Sequence, residues 1–149
     1  DPMNAGEFRN EHLAASMAIK DALDGYFVPA CRRYGLTIQQ FHVLAVLEGD
    51  GPQSVGELSG RVGVLRGNIT AVCKKLEQRE LIVRSRSPED ERVVVGPLGG
   101  RGGEVKNGPA GELETCWGEA SRLLPPEDME DILKGLKKLC ALVQKLRKE

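Results

Sequence analysis

Three arginines stand close together in the segment R84-S-R-S-P-E-D-E-R92, around a turn that contains proline and aspartate. The flanking runs L81-I-V-R-S-R86 and R92-V-V-V95 are rich in β-type residues, which predicts a hairpin with the arginines near its tip. The minor groove of A·T-rich DNA is narrow and strongly negative, and it attracts inserted arginine side chains. We therefore predict a DNA-binding hairpin whose Arg92 enters the minor groove. Three neighbours complete the predicted contacts: Asp90 orients Arg92, and Arg84 and Arg86 neutralise phosphates.

The stretch before this hairpin has the pattern of a helix that reads a major groove. Apolar residues at i, i+3, i+4 and i+7 form one stripe over residues 66–79, namely Ile69, Val72, Cys73 and Leu76. Base readout needs small or hydrogen-bonding side chains on the opposite face, where asparagine pairs with adenine and methyl groups contact thymine. The predicted DNA-contacting residues are Asn68 for adenine, Thr70 and Ala71 for thymine, Arg66 and Lys74 for guanine or phosphate, and the outward-facing Lys75.

The elements that must position these residues are mostly helical. Apolar periodicity predicts helices over about 9–34, 37–48, 54–62, 66–79, 110–124 and 127–147. T37-I-Q-Q40 and S54-V-G-E57 both have the form of a capping box, which fixes two helix starts. Residues 96–111 hold seven glycines and two prolines, and we expect mostly loop there because glycine is costly in a helix. The predicted fold is mainly α with a small β-hairpin, a helix-turn-helix followed by a wing.

Composition favours one soluble domain. The 149 residues are 40% hydrophobic and 29% charged, with a formal net charge of −1. Residues 61–92 nevertheless hold eight Lys/Arg and five Asp/Glu, a local charge of +3 that favours a polyanion partner. A membrane span needs about 18 apolar residues and a secretory signal needs a charged and then apolar start. Neither pattern occurs, so we expect a cytoplasmic protein with no membrane partner. The chain does not begin with Met, and Asp1-Pro2 is interpreted as a cloning remnant.

Four segments resemble the MarR family of winged-helix transcription regulators: L36-T-I-Q-Q-F-H-V-L44, G51-P-Q-S-V-G-E-L58, K75-L-E-Q-R-E-L-I-V-R84 and S87-P-E-D-E-R92. The stretch L123-L-P-P-E-D-M-E-D-I132 also resembles the start of the family's last helix. The resemblance implies a winged helix-turn-helix over 36–98, dimerisation helices over 9–35 and 109–149, a Gly-rich connector over 99–108 and a tail over 1–8. It further implies a homodimer on a palindromic operator, usually a repressor, which small aromatic or lipophilic effectors or thiol oxidation release from DNA.

The sequence departs from the family pattern at four places. Leu65 stands where a hydroxyl residue commonly caps the recognition helix, and Glu80 replaces the glycine that usually follows that helix. Glu91 replaces the first arginine of the family's Asp-Arg-Arg wing motif. The segment G96-P-L-G-G-R-G-G103 stands where the family has a strand end, Leu-Thr and a helix start. These changes predict a weaker wing contact on an unchanged fold.

Three functions are compatible with these residues. The first is an effector-responsive repressor whose pocket lies between the winged helix and the dimerisation helices, lined by Tyr26, Phe27 and His42. A half-buried helix position is the alternative interpretation of His42. The second is a thiol-based redox regulator with Cys31 as the sensor, because the neighbouring arginines would lower its pKa. The third is a winged-helix protein that no longer binds DNA and acts through protein contacts.

Enzymatic activity and metal binding have no support in the sequence. Catalysis requires a nucleophile with a base, or clustered carboxylates, and the two histidines, His12 and His42, lie in no recognisable catalytic motif. The four cysteines include no CxxC pair, which argues against a zinc site. We therefore predict no enzyme, no metal and no cofactor.

Overall fold

The computed structural model describes residues 1–63 and 66–146, and of Arg66 only the backbone. The predicted cap position of Leu65 lies outside these residues. The elements are α1 (Ala5–Arg33), α2 (Ile38–Asp50), β1 (Gln53–Ser54), α3 (Val55–Val62), α4 (Arg66–Gln78), β2 (Ile82–Arg86), β3 (Val93–Pro97), α5 (Arg101–Ser121) and α6 (Pro126–Gln144). The predicted fold class is confirmed, since helices predominate around one small antiparallel sheet in the order β1-β3-β2.

Local capping fixes where α2 and α3 begin. The Thr37 hydroxyl accepts a hydrogen bond from the Gln40 N–H at 3.1 Å, and the Gln40 side-chain oxygen accepts from the Thr37 N–H at 3.0 Å. This is the predicted capping box, and it gives hydrogen-bond partners to Gln40, which is buried. At α3 the Ser54 hydroxyl accepts from the Glu57 N–H at 3.1 Å. The two caps satisfy backbone N–H groups at the starts of α2 and α3.

The core joins α2, α3 and α4 to the base of the hairpin. The stripe predicted for α4 is confirmed, with Ile69, Cys73 and Leu76 buried and Val72 half-buried. These side chains belong to one apolar cluster, whose other buried members include Val43, Leu47, Leu58, Leu81, Ile82 and Val95. Because the inner face of α4 is fixed in this way, its opposite face is held toward solvent.

The start of α1 and the presence of strand β1 differ from the prediction. Helix α1 begins at Ala5, with the Asn4 side chain accepting a hydrogen bond from the Glu7 N–H, so the predicted tail over 1–8 is wrong from Ala5 onward. The two-residue strand β1 was not predicted. It pairs antiparallel with β3, Gln53 opposite Val95, and two residues are too few to show an alternating pattern.

The glycine-rich segment is helical from Arg101, so the loop predicted for 96–111 is wrong over much of its length. Gly102 is buried, and a Cβ added there would lie 3.0 Å from Leu44 Cδ2 and 3.2 Å from the Leu81 carbonyl oxygen. A Cβ on Gly108 would lie 2.3 Å from the ring of Tyr34. Glycine therefore allows α5 to approach the winged-helix core closely. We infer that this packing offsets the roughly 1 kcal/mol that each glycine costs in a helix.

The chain divides into two compact units, residues 1–112 and 113–149. The first contains the sheet, α1 to α4 and the start of α5. The second contains the rest of α5 and α6, which begins at Pro126 in the predicted position for a proline. Among the described residues, no helix has the length and apolar character needed to cross a membrane.

Candidate nucleic-acid interface

The outward face of α4 carries most of the side chains predicted to read bases. Asn68, Ala71, Lys74 and Lys75 are exposed, and Thr70 is half-buried. The side chain of Arg66 lies outside the described part of the chain. Asn68, Ala71 and Lys75 follow one another at i, i+3 and i+7, which places them on a single helix face. With the start of α2 they line a shallow groove of about 260 Å³.

The wing is the β2–β3 hairpin, in which Arg84 lies opposite Val95 and Arg86 opposite Val93. Its turn is closed by two hydrogen bonds, from the Ser87 N–H to the Arg92 carbonyl at 2.7 Å and from the Glu91 N–H to the Ser87 carbonyl at 3.0 Å. Glu91 adopts a positive φ of 59°, and its carbonyl accepts a hydrogen bond from Arg86 Nη1 at 3.1 Å. The side chain of Arg86 therefore helps to hold the turn.

Arg92 and Asp90, the pair predicted at the wing tip, are in direct contact. Arg92 Nε lies 2.6 Å from Asp90 Oδ2, and the Arg92 backbone N–H donates to Asp90 Oδ1 at 3.1 Å. That backbone hydrogen bond is the main reason why the pKa of Asp90 lies below its ordinary value. A second carboxylate, that of Glu57 on α3, lies 3.5 Å from Arg92 Nη1. Asp90 is thus placed to orient the Arg92 guanidinium within the wing.

Arg84 makes its contact inside the protein. Its Nε donates to Glu77 Oε2 at 2.5 Å, which ties strand β2 to helix α4. Lys74 lines the same shallow groove as this pair, where the wing meets α4. A phosphate contact by Arg84 would have to compete with Glu77.

Two residues just after α4, Arg79 and Glu80, connect the recognition helix to other helices. Arg79 Nη1 donates to the carbonyl of Gly35, just after α1, at 2.6 Å. Glu80 adopts a positive φ of 59° at the position where a glycine was expected, and its carboxylate lies 3.3 Å from Arg101 Nη1 on α5. No sequence signal could have found these pairs, since the partners are 44 and 21 residues apart.

The residues predicted to line an effector pocket are only partly brought together. Phe27 packs edge-to-face on Phe41, with ring centroids 4.9 Å apart, and Phe41 contacts the His42 ring at 5.9 Å. Phe41 is the link that the sequence prediction missed. The His42 side chain is exposed to solvent, but the surrounding protein partly desolvates it, and this lowers its pKa. The Tyr26 hydroxyl instead donates to the carbonyl of Glu112 on α5 at 2.8 Å.

The prediction that Cys31 is an accessible, low-pKa thiol is wrong. Cys31 is fully buried, and burial raises its pKa. The neighbouring Arg33 is directed away to α5, where its Nη2 lies 2.7 Å from Glu112 Oε2. Cys73 is also buried with a raised pKa, again because of burial, whereas Cys116 and Cys140 are exposed.

Comparison with known proteins identifies the family that this arrangement belongs to. A family model described as the MarR family matches residues 36–94. The HTH-type transcriptional regulator YkoM of Bacillus subtilis is 31% identical over 109 residues, which cover 72% of this chain and 70% of that protein. The chain belongs to the MarR family. It is therefore a DNA-binding winged helix-turn-helix transcription regulator rather than an enzyme.

Two further MarR-type relatives extend the comparison over most of the chain. The homoprotocatechuate degradative operon repressor of Escherichia coli is 23% identical over 128 residues, 86% of each protein. The structure of Staphylococcus aureus MarR in complex with salicylate and kanamycin has a TM-score of 0.80 at 15% identity, covering 93% of both chains. At that identity the similarity establishes the shared MarR fold and nothing finer.

Proposed function

We propose that this MarR-family regulator is a homodimeric repressor that binds a palindromic operator and leaves it when a small aromatic or lipophilic effector binds. The observation that carries the proposal is the exposed row Asn68, Ala71 and Lys75 on α4, beside a wing that bears Arg92. A helix of 13 residues spans about 20 Å, enough to lie across a major groove while the wing extends along the duplex. Asn68 would then read adenine, and Lys74 would approach guanine or phosphate.

Exposed apolar side chains on the terminal helices support the homodimer. No residue of α6 is buried, and its Leu133 and Leu136 are 56% and 45% exposed. On α1, Leu13 and Met17 are 50% and 68% exposed. Monomeric proteins rarely leave large contiguous apolar surfaces in water, so we infer that a second copy of the chain covers these helices. A twofold dimer would also match the symmetry of a palindromic operator.

The aromatic contacts between α1 and α2 support an aromatic or lipophilic effector. Phe27 and Phe41 pack edge-to-face, and α1 is joined to α5 through the Tyr26 hydroxyl and Glu112. An aromatic ligand inserted beside Phe27 would separate α1 from α2, and α2 is part of the winged helix. One relative is named for the operon that degrades homoprotocatechuate, and the structure of another is a complex with salicylate and kanamycin. Homoprotocatechuate and salicylate are small aromatic acids.

Selection of bound DNA from a random pool tests the operator proposal directly. We expect one enriched palindrome whose half-sites lie about one helical turn apart, bound by two protomers in sedimentation. Salicylate, as a probe aromatic acid, should release this DNA from the wild type and less effectively from Phe27→Ala. The proposal is contradicted if no sequence is enriched, or if a single protomer binds a site without symmetry.

A further inference from the structure

Arg92 at the wing tip is shared by two carboxylates from different elements. Asp90 belongs to the same turn and contacts both the backbone N–H and Nε of Arg92, at 3.1 and 2.6 Å. Glu57 belongs to the first turn of α3, and its carboxylate lies 3.5 Å from Arg92 Nη1. Both side chains of the Arg92–Glu57 pair are about half exposed, so solvent and other ions can reach it.

The two carboxylates differ in what happens when Arg92 reaches toward DNA. Asp90 moves with the wing, because its carboxylate accepts a hydrogen bond from the Arg92 backbone N–H. Glu57 is fixed on α3, where its own N–H is held by the Ser54 hydroxyl. An Arg92 guanidinium that enters a minor groove can therefore keep Asp90 but has to leave Glu57. The Glu57 carboxylate would then stand unpaired beside a polyanion.

We propose that Glu57 is a brake on DNA binding, which holds Arg92 against α3 in the free protein and must release it when the complex forms. The inference rests on the proposed DNA contact of Arg92. An interaction made only in the free state favours that state over the complex. An exposed ion pair changes an equilibrium by about threefold, so two wings in a dimer weaken binding by roughly tenfold.

The variant Glu57→Gln removes the charge and keeps the size of the side chain, and glutamine is compatible with this position of a helix start. Glu89→Gln is the matched control, because Glu89 is an exposed carboxylate in the turn of the same wing. Both variants are compared with wild type in binding the selected DNA. Each is also made in an Arg92→Ala background, which completes a double-mutant cycle.

We expect Glu57→Gln to bind about tenfold more tightly than Glu89→Gln at low salt. The advantage should shrink between 50 and 200 mM salt, because salt screens exposed charges, and it should vanish in the Arg92→Ala background. A simple loss of one negative charge would give the same gain in both variants and both backgrounds.

Two results would overturn the brake while leaving the proposed function intact: equal or weaker binding by Glu57→Gln than by Glu89→Gln, or a gain that persists without Arg92. Failure of the wild type to bind any selected DNA would overturn both proposals. Thermal unfolding and a second variant, Glu57→Ala, show whether a loss of binding comes from misfolding. Glu57→Ala should show the same dependence on Arg92 as Glu57→Gln.

Discussion

Replacing Gly102 by alanine should destabilise the protein, whereas the same change at the adjacent Gly103 should stabilise it. Both residues lie in the first turn of α5. A Cβ at position 102 would meet Leu44 Cδ2 at 3.0 Å and the Leu81 carbonyl oxygen at 3.2 Å, while one at 103 would meet only the Glu48 carboxyl group, at 3.6 Å or more. Leu44 is buried and the Leu81 carbonyl belongs to the backbone, so neither can move freely to make room for a Cβ at position 102.

The two variants can be compared in free energy of unfolding. Alanine in place of a helical glycine contributes about 0.5–1 kcal/mol of stability. Overpacking a buried site costs about 1–3 kcal/mol. We therefore expect Gly102→Ala to lose about 1 kcal/mol and Gly103→Ala to gain about 0.5 kcal/mol. In a chain of this length that difference corresponds to about 5 °C in Tm.

Denaturant and thermal unfolding at equal protein concentration measure this difference, since the stability of a dimer depends on concentration. Gly111→Ala serves as a control, because a Cβ there would meet nothing within 4 Å, and it should behave like Gly103→Ala. The close packing of α5 on the core would be refuted if Gly102→Ala were as stable as Gly103→Ala.

Three further outcomes follow from other parts of the chain. Glu80→Gly should raise the free energy of unfolding by about 1 kcal/mol, because glycine adopts the positive φ at this position without strain. The change removes only an exposed ion pair with Arg101. An unfolding midpoint at or below that of the wild type would count against this. Leu136→Glu combined with Val143→Glu should give monomers or aggregates in sedimentation, and an intact dimer would move the interface elsewhere. Thiol reagents should modify Cys116 long before Cys31, and peroxide should leave DNA binding intact. A redox switch would be supported instead if peroxide abolished DNA binding, reductant restored it, and Cys31→Ser made the protein insensitive to peroxide.

The winged helix could be predicted from sequence because its determinants are local. The Thr37–Gln40 box and the Ser54 cap mark helix starts within four residues, and the stripe of α4 repeats within two turns. The hairpin follows from two β-type runs around one turn. In each case the residues that decide the conformation are near neighbours in the chain.

Several of the features that were missed depend on contacts between distant residues. Glycine propensity predicted a loop, but α5 is helical there, and Gly102 packs closely on Leu44, which is 58 positions away in the sequence. Adjacent arginines suggested a reactive Cys31, but burial controls its pKa. Glu57 and Arg92 lie 35 residues apart, so their ion pair depends on how the wing folds back on α3.

The most direct test of the DNA-binding account is the affinity of Arg92→Ala and Lys74→Ala for operators with A·T-rich and G·C-rich flanks, measured by fluorescence anisotropy at several salt concentrations. Loss of Arg92 should weaken binding most at A·T-rich flanks, where the minor groove is narrow. Loss of Lys74, if it contacts phosphate, should weaken binding to all sequences about equally and reduce the salt slope by about one unit per site. If Arg92→Ala leaves both affinity and flank preference unchanged, the hairpin is not a DNA-binding wing.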